Sequence, residues 1–206
     1  MAAMLWAASR AHHDNVRRTP FFQALASRRL PWRAYANWLA QLYLLHESLA
    51  EIESMLADPP TGPAAPRSAR VCLPALAADL RFLHGEQWQQ HVTACPATAI
   101  YCTDLRDTAS GDAVGLLAHH YSRHIEDLYA AETLAPEVSA AYGLQDAGRR
   151  FLAPGDTDLW RYADSCHRLL DTLPSITAQS EKLVVDAARV HRMYLDIVIE
   201  LGRTWA

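Results

Sequence analysis

Two neighbouring histidines near the start of the chain, His12 and His13, have a side chain that commonly binds metal ions. They lie in the segment ASRAHHDNVRRTPFF, whose apolar residues predict a helix. Because neighbours on a helix point about 100° apart, we expect one imidazole to face the core and the other to point elsewhere. From spacing alone, the pair fits either a metal ligand or exposed, hydrogen-bonded side chains.

A second group of chemically active side chains lies in residues 118–134, AHHYSRHIEDLYAAETL. This stretch holds three histidines, an arginine and the adjacent acids Glu126 and Asp127. Side chains three or four positions apart share one face of a helix, and this spacing aligns His120, Arg123, His124, Asp127 and Ala131. We therefore take this stripe as a candidate site.

The elements that carry these residues are predicted to be all helical. Proline and glycine clusters divide the chain into long segments with helical periodicity and little strand-like alternation. The first helix should end near Arg18, and a short turn should follow over residues 21–30. Pro31 then suits the first turn of a long helix with one apolar face. Later helices are predicted at about residues 73–91, 97–108, from near Asp112 onward and 176–203, with a proline-rich loop at 58–70 and a helix cap at Asp156 or Thr157.

The composition fits one globular domain spanning residues 1–206. Half of the 206 residues are hydrophobic, a fifth are charged, and the formal net charge is −4. No basic field is present to hold a polyanion, so nucleic acid is a poor candidate partner. The four cysteines show no zinc-like spacing, and no apolar run reaches the ~20 residues that cross a bilayer. We therefore expect reduced thiols and a cytoplasmic protein without a membrane span.

Two motifs resemble the heme oxygenase family. The first is the family's Ala-Thr-Lys-x-x-His, which reads here Ala8-Ser9-Arg10-Ala11-His12-His13, followed by Phe21, Phe22 and the helix YANWLAQLYLLHESLAEIE. The second is Ala-His-x-Tyr-x-Arg-Tyr-x-Gly-Asp-Leu-x-Gly-Gly, which reads here AHHYSRHIEDLYAA over residues 118–131. With both blocks in the family's order, the chain is identified as a member of the biliverdin-producing, bacterial type.

The resemblance implies an all-α, single-domain helical bundle with heme between a proximal and a distal helix. His13 matches the proximal iron ligand, and Arg10 matches a basic residue near a heme propionate. Tyr121 and Arg123 would also orient the propionates, and Asp127 would place the water that delivers protons. Two further candidate propionate partners lie nearer the C-terminus, namely Arg161 and Arg168.

The sequence departs from the family's motif on the distal helix. Glu126 lies where the family has its first glycine, and Ala130 and Ala131 replace a glycine pair that would lie against the porphyrin. Each alanine favours a stiffer helix by roughly 0.5–1 kcal/mol relative to glycine. The Glu126 carboxylate could occupy the oxygen site, ligate iron, rearrange the water or rotate away, and the sequence does not choose among these.

The family's reaction uses heme as substrate and cofactor, and converts it with dioxygen and electrons to biliverdin, carbon monoxide and ferrous iron. The reaction would serve iron acquisition or the supply of a bilin. Since the chain has no dinucleotide-binding fingerprint, an external donor such as a ferredoxin or flavin reductase is implied. We expect a monomer.

Two alternatives remain open. A heme-binding relative with altered catalysis would be a sensor, carrier or sequestering protein, and the replaced glycines favour it. A non-heme diiron protein of the same fold would use carboxylate and imidazole ligands, although no Glu-x-x-His pair of the bundle type occurs. The residues of suitable type are Glu47, Glu51, His84, His119, His124 and Asp127.

Overall fold

The computed structural model describes residues 2–55, 69–153, 168 and 179–205, and every regular element in these ranges is helical. This confirms the all-α class. The α-helices are Ala2–Arg17 (α1), Pro20–Ala26 (α2), Trp32–Met55 (α3), Ala69–His84 (α4), Pro96–Ala109 (α5), Ala113–Tyr142 (α6) and Ser180–Trp205 (α7). Short 3-10 turns lie at Trp88–His91 and Arg150–Leu152. Within the described ranges, we find no helix with the length and apolar character needed to cross a bilayer.

The segment after the first helix forms a helix of its own, where the sequence predicted a turn. Thr19 caps α2 by accepting a hydrogen bond from the Phe22 amide, and Pro20 takes the first helical position, where its missing N–H costs nothing. Phe21, Phe22 and Leu25 are buried. The prediction was wrong because this short helix gains its stability from packing its apolar face against the core.

The predicted helix at residues 73–91 is divided in the structure. Gly85 adopts a positive φ of 82° directly after α4, a conformation that favours glycine, and a 3-10 turn follows. At the other helices the ends agree with the predictions to within a few residues. The loop after residue 58 lies largely outside the described residues, as do the proposed cap at Asp156 or Thr157 and the candidate Arg161.

The main core is built around α3, which packs against α4, α5 and α7. Its largest fully buried side chains include Tyr35 and Trp38. The Trp38 indole N–H donates to the Tyr194 hydroxyl on α7 at 3.0 Å, so this buried polar group is satisfied.

A second, smaller apolar cluster joins α1 to α6 and α7. Leu5 from α1 is fully buried there, and the Trp6 and Tyr129 rings lie 5.5 Å apart. At the other end of α1, Arg17 forms an ion pair with Glu137 of α6. These contacts lay α1 along α6, so that side chains near the middle of α1 meet the candidate stretch of α6.

Candidate functional site

His13 lies at the contact between α1 and α6 and is only 4% exposed. Its Nδ1 is 2.9 Å from Glu126 Oε1, and its Nε2 is 3.2 Å from Thr133 Oγ1. The Tyr129 ring stacks on the imidazole at 4.7 Å between centroids. Residues of α6 therefore engage both ring nitrogens and cover one face of His13.

Glu126 turns its side chain toward α1 and bonds to His13. Its side chain is buried, which by itself would raise the pKa of its carboxyl, but the hydrogen bond and the charge interaction with His13 hold that pKa below its ordinary value. Glu126 is therefore a charged carboxylate paired with the candidate iron ligand. The four placements of the Glu126 carboxylate that the sequence left open did not include a pairing with His13.

Asp127 points to a different neighbour, because adjacent residues on a helix face different directions. Its Oδ1 accepts a hydrogen bond from Arg123 Nε at 2.9 Å, and its Oδ2 lies 3.0 Å from His46 Nε2 on α3. Burial would raise the pKa of Asp127, but the Arg123 guanidinium and then His46 lower it to about 2. Asp127 is thus ionised throughout the physiological pH range.

The other predicted site residues on α6 are also buried, but their side chains contact different parts of the protein. Arg123 packs its guanidinium 4.3 Å above the Tyr194 ring centroid, in addition to its ion pair with Asp127. Tyr121 lies in the smaller apolar cluster, and Ala130 lies in the main core. Ala131 is also buried. On α1, by contrast, Arg10 is exposed.

The polar residues of α6 do not face one crevice only. His119, which lies outside the predicted stripe, is fully buried and its Nε2 lies 2.9 Å from Asp104 Oδ2 on α5. Burial lowers the pKa of His119 to about 4 despite this carboxylate. Arg189 of α7 pairs with the same Asp104. This group joins α5, α6 and α7, and we interpret it as a structural contact.

Some residues that the sequence did not predict lie next to the candidate site residues in the structure. His46 interrupts the apolar face of α3. That polar residue on an apolar face was the available signal. Cys72 of α4 lies beside His46 and Asp127, and a single cysteine without a spacing partner gave no signal. His12 stacks on His191 of α7 at 4.5 Å.

A narrow crevice lies beside Glu126, with about 160 Å³ of space not filled by atoms. Its walls include Arg123, Ser122, His191 and Tyr194. This space is too small for a porphyrin ring. The Ser122 hydroxyl and His191 Nε2, which belong to residues that line the crevice, are buried without a hydrogen-bond partner among the described residues.

The side chains of this region fit heme by their chemistry. A buried imidazole at His13 is a suitable iron ligand, and a permanently charged carboxylate at Asp127 can order water. The spacing fits only if His13 leaves Glu126 and Thr133, because those two contacts join α1 directly to α6.

The ligands of a diiron site do not converge in the part of the chain that the structure describes. The group of potential ligand atoms found there contains Asp127 with His46 and Cys72, and none of the other five residues named for the diiron alternative. His119 is already bonded to Asp104, and the His84 ring stacks on His91.

Comparisons with known proteins agree with the motifs. The family model for heme oxygenase matches residues 1–200. Heme oxygenase 1 of Synechocystis sp. is 23% identical over 98% of this chain and 84% of its own length, and heme oxygenase 1 of Pongo abelii is 22% identical over 94% and 69%.

Solved structures share the fold. The crystal structure of heme oxygenase-1 from Synechocystis in complex with heme superposes with a TM-score of 0.86 at 23% identity, covering 98% of this chain and 92% of that one. Heme oxygenase from Leptospira interrogans gives a TM-score of 0.84 at 21% identity over 97% and 98%. The bundle, the motifs and the family match together establish that this chain belongs to the heme oxygenase family.

Proposed function

We propose that this chain takes heme as its substrate between α1 and α6, with His13 as the iron ligand, and cleaves it to biliverdin, carbon monoxide and ferrous iron. The observation that carries the proposal is the burial of His13 against the stretch of α6 that bears Glu126 and Asp127. The Synechocystis relative of the same fold is described in complex with heme, which supports this choice of substrate.

The protein's own part is to bind, orient and supply ordered water, since heme provides the redox-active iron and the ring that is oxidised. His13 would exchange its bonds to Glu126 and Thr133 for a bond to iron. Ala130 and Ala131 would then lie along the ring face. Arg10, exposed on α1, is suited to pair with a propionate.

Asp127 is proposed to hold water instead of acting as an acid. A carboxylate with a pKa of about 2 carries no proton to give at neutral pH, but it accepts hydrogen bonds strongly. Arg123 fixes its Oδ1, so Oδ2 remains oriented toward His46. We propose that Arg123 acts chiefly through Asp127, and that Tyr121 and Arg123 help to set the orientation of the heme.

The source of electrons and the setting of the reaction are further parts of the proposal. Because the sequence has no dinucleotide-binding fingerprint, the electrons would come from an external donor, a ferredoxin or a flavin reductase. A net charge of −4 and the presence of Cys72, Cys95 and Cys102 as thiols instead of disulfides are compatible with a cytoplasmic monomer. Iron acquisition or bilin supply would be the purpose.

A second candidate function, heme binding without cleavage, is favoured by one observation. The charged Glu126 occupies the position of the family's first distal glycine and is bonded to the proximal histidine. A carboxylate that stays near the iron after heme binds would obstruct dioxygen, and the protein would then carry or sense heme.

Turnover separates the two functions. Purified protein is loaded with hemin and supplied with ascorbate or a reductase under oxygen, and biliverdin and carbon monoxide are quantified. We expect conversion by the wild type, and at least a tenfold slower conversion by Asp127→Asn with hemin binding retained. Asp107→Asn, a change of an exposed aspartate on α5, is the matched control and should convert normally. A stable hemin complex that never yields biliverdin would favour the carrier or sensor.

A further inference from the structure

We propose a metal site separate from heme coordination, formed by His46 on α3, Cys72 on α4 and Asp127 on α6, that binds one divalent transition metal ion. Each residue offers one ligand atom, and these atoms lie within 4.8 Å of one another. All three side chains are at most 3% exposed. A nitrogen, a sulfur and a carboxylate oxygen from three different helices therefore converge in the interior.

The close approach of His46 to Asp127 is unusual in its alignment. His46 Nε2 and Asp127 Oδ2 are 3.0 Å apart, yet neither atom is aligned for a hydrogen bond with the other. Two polar atoms this close and this deeply buried normally share a proton along a straight line. Misalignment at this separation is what two ligands of a common ion show, because both point at the ion instead of at each other.

The distances allow coordination after a small adjustment. Zinc-like ions bind nitrogen, oxygen and sulfur at about 2.0–2.3 Å, so ligand atoms around a tetrahedral ion lie about 3.3–3.7 Å apart. The largest separation in this group is at most 4.8 Å, which exceeds that spacing by about 1.1–1.5 Å. A rotation of the Cys72 side chain supplies such a change.

Arg123 holds one side of the site in place. Its Nε and Nη2 both lie 2.9 Å from Asp127 Oδ1, which leaves Oδ2 for the ion. Carboxylate ligands of metals are commonly fixed in this way by a second partner. The guanidinium also adds positive charge nearby, so the ion relies on the Cys72 thiolate, formed as the metal displaces its proton, for charge balance.

The ligand set selects the kind of ion. Imidazole and thiolate suit Zn²⁺, Co²⁺ and Fe²⁺, whereas Mg²⁺ and Ca²⁺ prefer oxygen ligands throughout. Three protein ligands leave a fourth position for water. Zn²⁺ from the surroundings and Fe²⁺ set free by heme cleavage share this chemistry, and the experiment below treats them separately.

Occupancy of the site has a consequence for heme cleavage that rests on the proposed function. The ion would take Asp127 Oδ2, the oxygen proposed to order water. We therefore expect metal binding to slow turnover while leaving hemin binding intact.

The site is tested first without heme, by anaerobic titration of the purified protein with Co²⁺. We expect one Co²⁺ per chain and a sulfur-to-cobalt charge-transfer band in the near ultraviolet, which Zn²⁺ displaces. Cys72→Ser should abolish the band, and His46→Phe should weaken Co²⁺ binding at least tenfold. Cys102→Ser is the matched control, since this buried thiol on α5 contacts the Leu44 carbonyl instead. No band in the wild type, or a band that persists in Cys72→Ser, overturns the site.

The two sources of metal and the link to turnover are distinguished next. Because Fe²⁺ binds such ligands more weakly than Co²⁺, it is titrated anaerobically into the metal-free protein. Binding of one Fe²⁺ per chain that is lost in Cys72→Ser shows that released iron can use the site, and no binding limits the site to Zn²⁺-like ions. Zn²⁺ should slow biliverdin formation at least tenfold in the wild type but not in Cys72→Ser. Equal inhibition of both proteins overturns the link to turnover. Since the Co²⁺ titration uses no heme, it decides the metal site even if heme cleavage is not observed.

Discussion

At the residue scale, the central feature is that both ring nitrogens of His13 already contact other residues of the chain. His13 is bonded to the charged Glu126 at Nδ1 and to Thr133 at Nε2. Hydrogen bonds to charged groups contribute about 1.5–3 kcal/mol, and neutral ones about 0.5–1.5 kcal/mol. In the proposed complex, heme would exchange these contacts for an iron bond, so part of its binding energy would be used to separate α1 from α6.

Removal of the competing carboxylate should therefore strengthen hemin binding. Glu126→Ala is expected to lower the hemin Kd about tenfold, since about 1.4 kcal/mol corresponds to a factor of ten. Thr133→Val, which removes a neutral bond, should lower it less. Absorbance titration with hemin measures both effects.

The control for this series is Glu132→Ala, a change of an exposed glutamate on the same helix that should leave the Kd unchanged. Weaker hemin binding by Glu126→Ala would show that Glu126 supports the bound histidine instead of competing with heme for it.

At the element scale, a buried carboxylate joins α4 to the 3-10 turn at Arg150–Leu152. Asp79 is fully buried and accepts hydrogen bonds from the backbone amides of Arg150 at 2.8 Å and Phe151 at 2.9 Å. Burial raises the pKa of Asp79 from 3.8 to about 6, in spite of those bonds. Between about pH 4 and 6, the folded protein thus keeps a proton on Asp79 that the unfolded chain has already lost.

This difference gives the fold a pH dependence of known sign. The proton on Asp79 stabilises the folded state fully below about pH 4, and that contribution is lost as the pH rises through about 6. A shift of about two units corresponds to roughly 3 kcal/mol. Asp79→Asn should remove this dependence, so the unfolding free energy of the wild type relative to Asp79→Asn should fall by up to about 3 kcal/mol between pH 4 and 7.

Urea denaturation at several pH values measures this difference, with Asp107→Asn as the control that should show none. A difference that is constant across the range would show that Asp79 is ionised in the folded protein at pH 4.

The elements also show what the sequence could and could not predict. The helix start near Asp112 and the long apolar face of α3 were predicted from local patterns, and both helices are present. Helix α2 was missed because its seven residues are stabilised by distant core contacts, not by a local pattern. The end of α4 was placed too late because Gly85 could have been tolerated within a helix.

At the scale of the whole molecule, the two apolar clusters hold different sets of helices together. The main core is built around α3 and includes Val16 near the end of α1, whereas the smaller cluster packs the first part of α1 against α6 and α7. The His13 site lies at this second junction. Separating α1 from α6 would therefore open the smaller cluster first, while Val16 still joins α1 to the main core.

A leucine-to-alanine change in the main core should affect the stability of the whole protein, whereas the same change in the smaller cluster should affect mainly α1. Leu39→Ala in the main core is expected to lower the global unfolding free energy by about 2–5 kcal/mol. Leu5→Ala, at an equally buried position in the smaller cluster, should mainly loosen α1. Hydrogen exchange should then be faster in α1 while α3 stays protected. Equal acceleration in both helices would show that the clusters unfold as one unit.

The candidate site was only partly predictable at this scale. His13 and Asp127 were selected by short motifs that lie far apart in the sequence, and the structure places both on buried faces of α1 and α6. The pairing of Glu126 with His13 joins residues 113 positions apart, and no pattern along one helix encodes it. Cys72 entered the site for the same reason, through packing of α4 beside α3 and α6.

The most direct test of this account is a hemin titration of the wild type and His13→Ala, followed by the Soret band. We predict a saturable band at one heme per chain in the wild type, its loss or shift in His13→Ala, and its restoration when free imidazole is added to that variant. His12→Ala, the change of the neighbouring histidine that stacks on His191, should bind hemin with the same spectrum as the wild type. An unchanged Soret band in His13→Ala would contradict the account, since it would mean that another residue ligates the iron.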